Sequence, residues 1–470
     1  MQDNDVHFNI VRLPAQDSFD SGDTTIIYHS SFESLIGPGR LLVTSAMIEA
    51  FVTYQMELPR PGETRTLGLS DLLGPGSQGE LISEARYGTI VPSGGDSPQW
   101  IARNALVAHK TLGTPDVLSI RTRLAAAELE IKFVEGLSTK YTREVFVGAS
   151  LPDATGIFTF NEDGSARADR IEGTLFGRRA SVRTLHDPVQ ALGQQGLERL
   201  AVVYDGEPLI GAFSEALWLT LSLISGNSIE PAYVETFSAS GTLLERRYRF
   251  GKPFSTRHRS PFHGVYCALP IQGLEDIVSA FYRLLTDGFP IDVVMSHLYE
   301  AVGATIDSMM QSLLLAVHTA IEAWNRLNEV PNLIPQATWE ANRDAIVDAA
   351  ANVATPLSVE LAAVIAAKIK GSNHTSTASR QRRLLHGIGM TPKPPEKEAL
   401  RLRNALFHDG YLRRQLQYLN RGELQERYDQ LETLRDVAFR IVFGLLKYPH
   451  SWQSFARPYL PTNCTRESNG

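Results

Sequence analysis

A chain of 470 residues exceeds what one compact hydrophobic core holds, so two or three domains are expected. Hydrophobic residues make up 43% and charged residues 21%, which is ordinary for a soluble globular protein. The net charge of -7 argues against a protein that coats nucleic acid over its whole surface and leaves room for a local basic patch.

Met1-Gln2-Asp3-Asn4-Asp5 is acidic and polar, and predicts no secretory signal. The longest apolar runs, such as Ala212 to Ile224 and Leu313 to Val317, are interrupted or too short to span a bilayer. Cys267 and Cys464 cannot alone build a disulfide framework or a zinc site, and a reducing, cytoplasmic location fits them.

Residues 1–205 read as β-rich, with short apolar stretches separated by Gly, Pro, Asp and Ser. Strands are expected at Thr24 to Tyr28, Arg40 to Thr44, Leu129 to Val134, Arg143 to Val147 and Gly156 to Phe160, with a turn at Asn161-Glu162-Asp163-Gly164. A barrel or sandwich is expected, with a helical insertion at Ser97 to Lys110. Residues 206–265 read as an α/β extension and basic linker. In it, Ile210 to Ser225 is a helix with Phe213, Leu217, Leu221 and Ile224 on one face, ended by Gly226-Asn227. Tyr233 to Ala239 and Leu243 to Phe250 read as a hairpin joined by Ser240-Gly241.

Residues 270–450 read as a helical bundle. Apolar spacing predicts helices at Leu274 to Leu285, Ile291 to Leu298, Ala304 to Leu327, Trp339 to Asn352, Ser358 to Lys370, Glu396 to His408 and Leu424 to Leu446. Gly371 to Ser379 reads as a mobile polar loop, and residues 451–470 as a weakly ordered tail. The fold class is α+β multidomain: a β-rich N-terminal region followed by an all-α C-terminal bundle.

The chemistry concentrates in Arg403-Asn404-Ala405-Leu406-Phe407-His408. Pro394, Pro395 and Glu396 suit a helix start, and Gly410 a helix stop. Asn404 and His408 share a face, with Arg403 on its flank. A guanidinium can hold a phosphate by paired charge-assisted hydrogen bonds, and an imidazole can move a proton at neutral pH. Two such helices meeting across a two-fold axis pool two copies of each group. Lys368, Lys370, Arg380, Arg382, Arg383, Lys393, Lys397, Arg401, Arg413 and Arg414 lie nearby in sequence. Between Lys368 and Arg414 only Glu396, Glu398 and Asp409 offset them, which suits a polyanionic substrate such as RNA. The alternative is a solvated helix face with its Arg satisfied by a carboxylate.

This motif resembles the Arg-x4-6-His signature of the HEPN ribonucleases, including the Asn that follows the Arg. The helical region resembles their fold, a bundle of about four or five helices that dimerises through the motif. A β-rich region followed by such a bundle is similar to the ApeA-type anti-phage proteins. The resemblance implies that Arg403 binds the scissile phosphate, that His408 is general acid or base, and that Asn404 orients one of them. It implies a metal-independent endoribonuclease without a cofactor, acting on RNA, tRNA among the candidates, and leaving 2′,3′-cyclic phosphate and 5′-hydroxyl ends. It further implies a homodimer or higher homo-oligomer, an abortive-infection role, and a phage-derived trigger at the N-terminal region. Glu322, with His318 four residues before it on the same face, is a candidate further polar contributor; the alternative is an exposed helix glutamate. The rival for the whole chain is a non-catalytic RNA- or protein-binding module that uses the bundle only to dimerise.

Other patterns are read as structural. Arg103 to His109 satisfies the loose signature but lacks the proline start, the glycine stop and the basic neighbourhood. Gly74-Pro75-Gly76-Ser77-Gln78-Gly79 matches a dinucleotide fingerprint without a βαβ frame. Arg257-His258-Arg259 with His263 and Cys267 reads as a basic linker.

Overall fold

The structure is a computed structural model that describes residues 19–31, 34–43, 48–55, 86–93, 99–112, 119–147, 151, 157–160, 166–185, 199–249, 261–262, 271–300, 305–328, 336–351, 358–370, 376–409, 420–455 and 461–462. Strands dominate the N-terminal part and helices lie mostly in the C-terminal part, so the chain is α+β. It divides into two units, Met1–Ser255 with Ala268–Glu275, and Thr256–Cys267 with Asp276–Gly470.

In the first unit, β1 (Phe19–Asp20), β2 (Thr24–Ser30), β3 (Ser34–Val43), β4 (Ile48–Gln55), β5 (Gly88–Pro92), β6 (Gln99–Leu112) and β7 (Ser119–Ala126) are antiparallel to their neighbours. The run β6-β5-β2-β3-β4-β7 closes on itself because β7 also pairs with β6, giving a six-stranded barrel. Inward residues alternate along its strands, as in Ile26 and Tyr28, Leu41 and Val43, and Ala50 and Val52. Gly39 sits where strands crowd: a Cβ there would lie 2.3 Å from the Phe51 carbonyl oxygen.

The helical insertion expected at Ser97 to Lys110 is instead strand β6. Asn104 adopts φ 53, and the pairing with β5 slips between Gly88↔Ala105 and Ile90↔Ala102, a bulge. The buried residues Trp100, Ala102, Ala105 and Val107 therefore step by two, three and two, which imitates helical spacing. The Arg103 to His109 pattern lies on this strand, and Arg103 forms an ion pair with Glu130 across it at 2.8 Å.

The first half of β6 pairs with β8 (Glu128–Lys132). From there the sheet continues through β15 (Leu243–Arg249), β14 (Pro231–Phe237), β9 (Tyr141–Val147), β13 (Arg199–Asp205), β12 (Arg178–Leu185), β11 (Ala166–Leu175) and β10 (Ile157–Phe160). The expected hairpin is present as β14–β15, inserted between β9 and β8. Every residue of β9 is buried. One of its faces carries Arg143, held to Glu235 at 2.7 Å, which also pairs with Arg246. Glu144 lies on the opposite face, where α1 (Ala212–Ser225) is tied down by Trp218 Nε1 donating to Glu144 Oε2 at 3.0 Å. α1 ends at Gly226 in the left-handed region, as its sequence predicts. Leu217, Leu221 and Ile224 of the expected face are buried.

The second unit holds α2 (Ile271–Thr286, its first turns assigned to the first unit), α3 (Ile291–Glu300), α4 (Ile306–Leu327), α5 (Gln336–Ala351), α6 (Val359–Lys370), α7 (Thr377–Gly387), α8 (Pro394–Asp409) and α9 (Arg421–Leu446). α4 packs on α3, α7, α8 and α9, while α5 and α6 pair with each other. The helix α7 corrects the reading of Gly371 to Ser379 as one loop: Ser376 caps α7 by accepting from the Ser379 N–H, and Thr377 to Ser379 are its first turn. The segment after Pro449, read as a weakly ordered tail, is anchored in its first part. Trp452 stacks on Phe443 at 4.3 Å and Phe455 on Phe439 at 4.7 Å, all four buried. Among the described residues no helix is long and apolar enough to cross a membrane. The Asn161 to Gly164 turn, the Gly74 to Gly79 pattern, and Arg257, His258, Arg259, His263 and Cys267 lie outside the described residues.

Candidate functional site

The helix that carries the motif, α8, is built as its sequence dictates. Pro394 and Pro395 open it, where missing N–H donors cost nothing. Glu396 reaches back so that its Oε2 accepts the Lys393 N–H at 2.8 Å, half of a capping box. Its Oε1 accepts from Arg440 Nη1 of α9 at 2.5 Å, with both side chains buried. Ala399 and Leu400 are buried beside it, and Leu402 is half-buried. α8 is thereby seated against α4 and α9.

Arg403, Asn404 and His408 belong to the last turns of α8, and their side chains lie outside the described residues, as do Arg413 and Arg414 altogether. Upstream on the same helix Lys397 and Arg401 are exposed. On α7, Arg382 and Arg383 are exposed. Among the described residues Arg382 bonds locally, Nε donating to the Ala378 carbonyl at 3.4 Å and Nη2 to Ser379 Oγ at 3.4 Å.

Glu322, His318 and Arg380 come together across α4 and α7. Arg380 Nη1 donates to Glu322 Oε2 at 2.5 Å, and His318 Nδ1 lies 3.9 Å from Glu322 Oε1, beyond hydrogen-bond range. The side chains of Glu322 and Arg380 are 39% and 28% exposed, so solvent screens the pair. Asn325, buried on α4, donates through Nδ2 to the Arg380 carbonyl at 3.1 Å and to the Ile321 carbonyl at 2.7 Å. Gly387 lies so close to the Trp324 ring that a Cβ there would sit 2.5 Å from it. Glu322 thus ties α4 to α7 through Arg380.

At the far end of α4, Thr305 caps the helix and Arg427 of α9 lies 3.3 Å from Asp307. Burial raises the Asp307 carboxyl, and Arg427 works against that shift. Asp436 of α9 is likewise raised by burial, opposed by hydrogen bonds from Ser454 and the Phe455 N–H, and then by Arg440 and Lys393.

Sequence reasoning missed a polar cluster in the first unit. Glu144 accepts from Tyr204 Oη at 2.6 Å and from Trp218, and burial raises its carboxyl against those two hydrogen bonds. These residues come from β9, β13 and α1, with no shared local pattern that could have announced them. Comparison of the chain with protein-family models, with curated proteins and with solved structures returns no match.

Proposed function

We propose that this chain is a metal-independent endoribonuclease of the HEPN type, active as a homodimer in anti-phage, abortive-infection defence, with its N-terminal region as sensor or regulator. One observation supports the reading: Arg403, Asn404 and His408 lie on a single continuous helix, seated in a helical unit by the buried Glu396–Arg440 bond and opened by two prolines. Exposed Arg382, Arg383, Lys397 and Arg401 on α7 and α8 give the same unit cations for a polyanion. The defence role rests on the resemblance alone.

In this reading the RNA 2′-hydroxyl attacks the adjacent phosphorus and the 5′-oxygen leaves, yielding a 2′,3′-cyclic phosphate and a 5′-hydroxyl. His408 moves the proton at the 2′-oxygen or at the leaving oxygen. Arg403 neutralises the charge that builds on the phosphoryl oxygens, and Asn404 orients the phosphate or the imidazole. A dimer brings two copies of the set to one RNA strand.

The test incubates full-length protein with tRNA or total RNA in EDTA, comparing wild type with Arg403→Ala and His408→Ala. Cleavage by wild type alone is expected. Full cleavage by both variants ends the proposal. Salt-sensitive RNA binding without cleavage by the wild type marks the binding-module alternative.

A further inference from the structure

The first unit contains a cavity of about 360 Å³ between α1 and strands β6, β8, β15, β14 and β9. Its inner wall is Glu144, 2% exposed, from the middle of β9. The Leu209 N–H donates to Tyr204 Oη at 2.9 Å, which commits the Tyr204 proton to Glu144 Oε1. Trp218 Nε1 can only donate, and it fills one site on Oε2. A carboxylate accepts about four hydrogen bonds, so two neutral donors fill half of its capacity. Among the described residues no cation is paired with it.

The rim has the opposite character. Arg103, Arg247 and Arg249 line it, with side chains 45%, 54% and 51% exposed. The Arg249 guanidinium sits 5.7 Å from the centre of the Trp218 ring. Glu128 and Glu130 line the cavity as well, and with Glu245 they pair with these arginines without burying them. From inside outward the cavity offers a buried acceptor, a flat indole and three guanidiniums.

We propose that this cavity binds a purine mononucleotide, with the base edge toward Glu144 and Trp218 and the phosphate among Arg103, Arg247 and Arg249. The volume falls in the range of small-ligand sites. An apolar ligand would leave the remaining acceptor sites of the Glu144 carboxyl unfilled, which is costly. Inorganic phosphate would meet only the rim. Guanine presents two adjacent N–H donors along one edge, which matches a two-oxygen acceptor; adenine presents one donor beside an acceptor. GMP is therefore the ligand of choice among simple nucleotides.

Calorimetric titration of the full-length protein with GMP, AMP and inorganic phosphate tests this. Saturable one-to-one GMP binding is expected, tighter than AMP or phosphate by about tenfold or more. Arg249→Ala, at an exposed rim position, is expected to weaken GMP by about tenfold at an unchanged melting temperature. Glu144→Gln is expected to erase the preference for GMP over AMP. GMP binding no tighter than phosphate, or unaltered by Arg249→Ala, overturns the site; AMP binding as tight as GMP overturns the role given to Glu144. The readout is binding at the first unit, so its failure leaves the ribonuclease proposal standing, and loss of RNA cleavage leaves this one standing.

Discussion

Glu396 and Arg440 meet at 2.5 Å with side chains only 8% and 5% exposed, and the same Glu396 closes the first turn of the helix that carries Arg403 and His408. One carboxylate thus fixes both the start of α8 and its seat on α9. Removing one partner strands a buried charge. Arg440→Ala is expected to cost about 3–5 kcal/mol, read as a lowered midpoint in guanidinium unfolding. Replacing both residues by apolar ones of similar volume is expected to cost much less, because neither member of the pair is left charged and unpaired. Equal losses from the single and the double replacement would show that the pair is not the element being lost.

RNA cleavage in EDTA is expected to fall about 10²–10⁴-fold in His408→Ala, the range of a lost general acid or base. Arg403→Ala is expected to lose about 10²–10³-fold, the range of a lost donor to a developing oxyanion. Initial rates on a labelled RNA, with the ends of the products identified, give both numbers. Intact melting curves for the two variants separate chemistry from folding.

The buried carboxyl of Asp436 gives stability a pH dependence of defined sign. Between the ordinary 3.8 and its raised folded value, the folded state binds more protons than the unfolded one. This group therefore adds stability as pH falls through that window and subtracts it as pH rises. Asp436→Asn keeps an acceptor for the Phe455 N–H, now 2.9 Å from Asp436 Oδ1, and removes the titration. Unfolding free energies measured from about pH 4 to 7 are expected to favour the variant increasingly as pH rises. Parallel curves for the two proteins would refute the assignment.

Gly387→Ala places a methyl 2.5 Å from the rigid Trp324 ring, at the crossing of α4 and α7. Overpacking of this kind costs about 1–3 kcal/mol, measurable by urea unfolding. Because α7 carries Arg380, Arg382 and Arg383, the same variant is expected to weaken RNA binding in a filter assay. Unchanged stability would mean that the helices part easily at that crossing.

Long helices were legible because their apolar residues recur every three or four positions, and α4 and α9 follow that pattern to within about three residues of their ends. α7 was hidden because its first turn, Thr377-Ala378-Ser379, has the composition of a loop and takes its cap from Ser376. β6 was misread because the left-handed Asn104 breaks the two-residue alternation on which strand reading depends. The start of α8 was written in Pro394, Pro395 and Glu396, whereas the partner of Glu396 was not, since Arg440 lies 44 positions away. Glu144, Tyr204 and Trp218 meet through the packing of two strands and a helix distant in sequence, which no local pattern encodes.

Strand β6 gives its first half to β8 and its second half to β7. The barrel therefore has no clean excision point. A fragment ending at Ala126 retains all six barrel strands and strips the partner from Gln99–Arg103, leaving main-chain donors and acceptors bare in mid-strand. Such a seam invites pairing between molecules, so the fragment is expected to precipitate where one extended through Arg249, which restores β8 and its neighbours, does not.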